Sequence, residues 1–182
     1  MTTEQNGFLP EGYEAPKSGN NYMKFEKGEN RIRILSKPIL GWIDWQDNKP
    51  LRFRMNEKPA KPVDPKRPIR HFWAMIVWNY KQDAIQVMEI TQATIQQSIT
   101  SLASDPEWGK PFGYDIKITK TGEGMETSYS VNPSPHKSLT PEIQTAIQMK
   151  GEIVLERLYE GGDPFEQQAV AHTSNGKSDL PF

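Results

Sequence analysis

The chain has 182 residues, 22 Lys and Arg against 23 Asp and Glu, and no cysteine. That length holds one domain of about 150 residues with tails. The lack of cysteine excludes disulfides, thiolate metal sites and cysteine nucleophiles. No apolar run is long enough to span a bilayer, and the opening MTTEQNGFLPEG lacks the basic start and apolar stretch of a signal peptide. The expectation is therefore a cytoplasmic protein. Charge is unevenly distributed: Lys24 to Tyr80 carries 13 Lys and Arg against 6 Asp and Glu, and Lys81 to Phe182 carries 8 against 14. A basic first half suggests a polyanion site there, and an acidic second half suggests a region that avoids or mimics polyanions.

Residues 1–21 are polar, with Gly, Pro and Asn throughout, and read as a flexible N-terminal arm. In NRIRILSKPILGWIDWQ, Ile32 and Ile34 alternate with Arg31, Arg33 and Leu35. This predicts a half-buried strand with its arginines outward, bent at Lys37-Pro38 and continuing to Trp45. LRFRM repeats the pattern, with Arg52 and Arg54 opposite Leu51, Phe53 and Met55. NEKPAKPVDPKRP then carries four prolines and four Lys or Arg, and reads as an extended basic loop. HFWAMIVWNY, apolar or aromatic at almost every position, suits a central strand covered on both faces. It forms a hairpin with AIQVMEI through a turn at residues 81–83.

The period then changes. Ile95, Ile99, Leu102 and Ala103 form one stripe of a helix from about Gln92 to Ser104, with Thr91 as N-cap and Asp105-Pro106 as stop. FGYDIKITKTG alternates again, with Tyr114, Ile116 and Ile118 inward and Asp115, Lys117 and Thr119 outward. Gly122 to Gly124 turn the chain into ETSYSVNP, with Tyr129 and Val131 inward. A second helix is expected from Thr140 to Met149, with Thr140 as N-cap and Pro141 in its first turn. EIVLERLY fits a strand or a helix equally. From residue 159 the chain reads as a disordered acidic tail. The expected fold is mainly β with minor α: a five-stranded OB-fold-like barrel over residues 22–158, with a helix between its third and fourth strands. Such barrels hold single-stranded nucleic acid on their middle strands and flanking loops.

No catalytic motif is present, and the three histidines have no ligand spacing, so neither an enzyme nor a metal or other cofactor is expected. The positive signal is cations interleaved with rings: Arg31, Arg33, Trp42, Trp45, Arg52, Arg54, Arg70, Trp73, Trp78, Tyr80 and Lys81. Cations follow phosphates while flat rings stack on bases regardless of sequence, and arginine does both. One strand parity of residues 71–80 must be core. Trp78 carries the stronger core reading, and Trp45 the stronger stacking one. The same surface would also suit RNA or duplex binding, or a scaffold for a pure interaction adaptor. Asp179, Leu180, Pro181 and Phe182 end an acidic segment as an apolar peptide suited to docking on another protein.

KFEKGENRIRIL, GWIDW, KPLRFR, HFWAMIVWNY and AIQVMEITQATIQQSI together resemble a family of bacteriophage single-stranded-DNA-binding proteins with an OB-fold, over about residues 22–135. Separately, SDLPF resembles the acidic, Phe-terminated tip of bacterial single-stranded-DNA-binding proteins, with Ser178 where a second Asp would stand. Some phage proteins of this function hold zinc through cysteines, which this chain lacks. The resemblance implies sequence-independent protection of single strands in phage replication, recombination and repair. It also implies that the tip recruits proteins of those pathways.

Overall fold

The alternation of residues 28–133 produces seven strands, all paired antiparallel, in a computed structural model that describes residues 21–167. They are β1 (Gly28–Ile34), β2 (Ile39–Gln46), β3 (Lys49–Arg54), β4 (Arg70–Asn79), β5 (Ala84–Ile90), β6 (Asp115–Thr121) and β7 (Ser128–Pro133). Helix α1 (Ala93–Ser104) lies between β5 and β6, α2 (Pro141–Lys150) follows β7, and a 3-10 helix spans Leu155–Glu160. The sheet order is β3-β2-β4-β1-β6-β7, with β5 on the other edge of β4.

The structure is mainly β, but five strands rather than three precede α1, and among the described residues the pairing does not close into a ring. Two causes account for the extra strands. Residues 35–38 bulge out of the ladder, so the bent strand expected over residues 31–45 becomes β1 and β2. Both still lie along one edge of β4, at Val77–Asn79 and at Arg70–Ala74. The Ser36 hydroxyl accepts the Ile76 N–H at 2.9 Å, which continues the ladder through the bulge. The LRFRM segment also pairs as the arm of a separate hairpin, β3, in addition to the β4–β5 hairpin. It is joined to β2 by Asp47-Asn48, both at positive φ, the conformation a two-residue hairpin turn requires.

β4 is buried on both faces, as its sequence requires. On one side Met75 and Val77 pack with Ile32, Ile34, Met88, Ile90, Tyr114, Ile116 and Ile118, closed over by Ile95 and Ile99 of α1. Each such isoleucine stabilises the fold by about 1.5–3 kcal/mol. Leu102 is half-buried, Ala103 exposed, and the N-cap is Gln92 rather than Thr91. On the other side Phe72, Ala74, Ile76 and Trp78 meet Leu155, Leu158 and Ile143. The Thr140 hydroxyl caps α2 by accepting the Ile143 N–H, as its sequence predicts.

Residues 159–167, grouped with the tail on composition, are placed. Tyr159 packs near Phe72, Phe165 joins both clusters on that side, and the Val154 N–H donates to the Pro164 carbonyl at 2.9 Å. Two aromatic rings suffice because the sheet already presents an apolar face for them to cover. At the other end, residues 21–23 pair with Val87 on the free edge of β5. Residues 1–20, and the tip Asp179, Leu180, Pro181 and Phe182, lie outside the described residues.

Arg33 and Asp115 do not face outward. They are opposite each other in the β1–β6 register and both are buried. One Asp115 oxygen accepts from Arg33 Nε at 2.8 Å and from the Tyr80 hydroxyl at 2.8 Å; the other accepts from Arg31 Nε at 2.9 Å. Arg33 also donates to the carbonyls of Phe112 and Lys137. Burial pushes the Asp115 carboxyl up, but the bonds from Arg31, Tyr80 and Arg33 outweigh it and hold the group below its ordinary value. Burial first, and the bond to Asp115 second, push Tyr80 up to about 12.

Asp115 therefore contributes stability that is present above the ordinary carboxylate range and lost as pH falls through its lowered value. Tyr80 contributes stability present below about pH 10, its ordinary value, and lost as pH rises to about 12. Asp115→Asn should cost about 3–5 kcal/mol by leaving two guanidinium groups without counter-charge. In thermal melts across pH it should also flatten the acid limb, and Tyr80→Phe should soften the alkaline one. An unchanged melting temperature in Asp115→Asn would contradict this role.

Candidate nucleic-acid interface

Alternation along β2, with its register to β3 and β4, sorts the half-buried rings and the cations beside them onto two sides of the sheet. Trp42 lies opposite both Phe53 and His71, and Trp73 follows two residues along β4 on the same side. Trp45, Arg52, Arg54 and Arg70 take the opposite side, where Trp45 packs at the border of the cluster around Ile43 and Phe72. Gly41 lets β2 cross here: a Cβ at this position would run into the Phe53 carbonyl oxygen.

The first side is a row of rings. The Trp42 and His71 centroids are 5.2 Å apart, and the Trp73 indole N–H donates to His71 Nε2 at 3.2 Å. His71 Nδ1 lies 2.8 Å from the Gly41 carbonyl, so this pairing selects the tautomer with its proton on Nδ1. Beyond Trp73 an apolar cavity of about 280 Å³ opens between β4 and α1, with Lys37 and Lys110 among its lining residues.

The basic loop of residues 58–69 tracks β2 and links the two sides. Lys58 Nζ sits 4.1 Å from the Trp42 ring centre, and the Trp42 indole N–H donates to the Met55 carbonyl. The Val63 N–H donates to the Asp44 carboxylate at 2.9 Å. The Arg67 guanidinium lies 4.1 Å over the Trp45 ring. Lys61, Lys66 and Arg70 are exposed, and a cavity of about 300 Å³ opens between Trp45, Arg67 and Arg70. Within one stretch of β2 two indoles are thus each paired with a cation, the combination that single-strand binding uses.

The sequence-derived residues divide accordingly. Trp42, Trp45, Arg70 and Trp73 gather here. Arg54 is exposed nearby with its guanidinium 4.4 Å over the Tyr159 ring, and Arg52 is largely buried in an ion pair with Glu89 at 2.6 Å. Arg31, Arg33 and Tyr80 are spent on Asp115, Lys81 pairs with Glu26 beside them, and Trp78 is buried. Lys58, Arg67, Phe53 and His71 are site residues that the sequence reading did not assign. The signal for the first two was the proline-broken basic loop, whose charge was noted without a partner for it. Among the described residues no group of three or more His, Asp or Glu could hold a metal ion.

No family model matches the chain, and no solved structure matches it. It is 27% identical over 139 residues to the probable ssDNA-binding protein of Escherichia phage T5. That alignment covers 60% of this chain and 53% of the relative, so the chain spans about half the length of the curated protein it matches. The similarity and the motifs of β1 to α1 point the same way: the chain resembles phage single-stranded-DNA-binding proteins.

Proposed function

We propose that this chain binds single-stranded DNA without sequence preference, through the tryptophans of β2 and the basic loop that lies along them. The observation that carries the reading is the placement of Lys58 on Trp42 and of Arg67 on Trp45, three residues apart on the two sides of one strand. A nucleotide offers each half of such a pair what it needs, a π-face for the ring and a phosphate for the cation. The name of the phage T5 relative supports the same ligand.

The strand order supports an OB-like reading of the scaffold. With β1 and β2 taken as one bent first strand and β3 as an insertion, the order is β5-β4-β1/β2-β6-β7, with α1 between the third and fourth strands. The loop after the first strand, one of those by which such barrels hold oligonucleotides, is then the β3 hairpin and the basic loop. The outer face of the middle strands is covered by Leu155, Leu158 and Phe165, which leaves that loop as the approach for a strand.

In this reading the protein protects single strands during phage replication, recombination and repair in the host cytoplasm, and catalysis has no part in it. Its tip, Asp179 to Phe182, docks proteins of those pathways, a reading supported by the resemblance of SDLPF alone. Four to five phosphate contacts from Lys58, Lys61, Lys66, Arg67 and Arg70 give an expected slope of log K against log[salt] of about −3 to −3.5 on poly(dT). A flat dependence would remove the electrostatic half of the mechanism.

Trp42→Ala should weaken poly(dT) binding by about 1–3 kcal/mol and leave that slope nearly unchanged. Trp78→Ala should instead lower the melting temperature, since Trp78 packs with Ile85 and Ile143. Unchanged affinity in Trp42→Ala would shift the site away from β2.

A further inference from the structure

Asp44 is 2% exposed and sits on β2 between Trp42 and Trp45, beneath a loop carrying Lys58, Lys61, Lys66 and Arg67. A buried carboxylate ordinarily has a cation for a partner. Among the described residues Asp44 has none. Its Oδ1 accepts the Trp45 N–H at 2.8 Å, and its Oδ2 accepts the Val63 N–H at 2.9 Å, nineteen residues away. Val63 lies midway between the two cations that rest on the rings, with an exposed side chain, so its backbone bond to Asp44 is what ties the middle of the loop to the sheet.

Four prolines deny this loop a ladder or helical bonds of its own. Between the Met55 carbonyl, bonded by Trp42, and the start of β4, the bond to Val63 is the hydrogen bond that attaches it to β2. A charged acceptor suits the purpose, because bonds to ionised groups are roughly twice as strong as neutral ones. The negative charge also draws the loop's four cations toward the strand that carries the rings.

We propose that Asp44 is a positioning residue that latches the basic loop along β2 through Val63, and so holds Lys58 and Arg67 where a strand stacked on Trp42 and Trp45 would place its phosphates. The inference rests on the single-stranded-DNA reading and adds to it the element that orients the cations before DNA arrives. Without the latch the loop samples many positions and must be ordered at the moment of binding, which lowers affinity without removing any DNA-touching group.

The test compares Asp44→Asn with Val63→Pro, which removes the same bond from the loop side. Asn keeps an oxygen for the Trp45 N–H but turns a donor toward Val63; Pro removes the N–H itself. Each variant should bind poly(dT) about threefold to tenfold more weakly at low salt, the net worth of one hydrogen bond. Each should also show a salt slope shallower by about 0.7–1.4, or one to two phosphate contacts. The double variant should be no weaker than either single one, because both remove one interaction.

The free variants should also be cut faster by trypsin at Lys66–Arg67, since each of the loop's other cations precedes a proline. If Asp44→Asn does not fold, Val63→Pro decides alone. Wild-type affinity and slope in the folded variants, with Trp42→Ala still weakening binding, would overturn the latch and leave the DNA reading standing. If Trp42→Ala is silent as well, the reading of a DNA site on β2 falls and the latch falls with it.

Discussion

β4 carries two neighbours on one edge and one on the other, and is covered on both faces for most of its length. β5 pairs with it from Trp73 to Asn79, while β2 takes Arg70 to Ala74 and β1 takes Val77 to Asn79 on the opposite edge. A strand in that position must be apolar at both parities wherever it is covered. Cover ends toward its first residues. There His71 and Trp73 reach one side and Arg70 the other, beside the β2–β3 hairpin, and the same strand that centres the core delivers side chains to the candidate site.

Periodicity made much of this legible. The strands, the turn at residues 81–83 and both helices follow from alternation, from turn residues and from caps. Its failures have one cause: alternation reports which side a residue takes, and cannot report what waits there. Arg33 looked outward because arginine usually is, yet Asp115, 82 residues later, stands opposite it with Tyr80 to complete the set. Asp115 was misassigned for the same reason, each residue concealing the other. Composition from residue 159 onward reads as a tail, but Ile76 and Tyr159 belong to the clusters that receive Phe165.

At the candidate site the split is similar. Trp42, Trp45 and Arg70 were visible as a mixture of rings and cations within one basic region. That Lys58 and Arg67 rest on those rings was not, because a loop broken by four prolines has no period from which to infer its path. Asp44 gave no signal at all in sequence. An acid among basic residues reads as ordinary surface charge until its burial and its bond to Val63 are seen.

The five indole N–H protons report separately on the core and the site. They belong to Trp42 and Trp45 on β2, Trp73 at the end of the ring row, Trp78 in the core, and Trp108 beside Tyr114 and His136. Titrating the labelled protein with a short oligo(dT) and following these five signals by NMR locates the ligand without altering any residue. Binding along β2 should move Trp42 and Trp45 most, Trp73 less, and leave Trp78 and Trp108 nearly still. Shifts confined to Trp78 and Trp108, or none at saturating oligonucleotide, would contradict a single-strand site on β2.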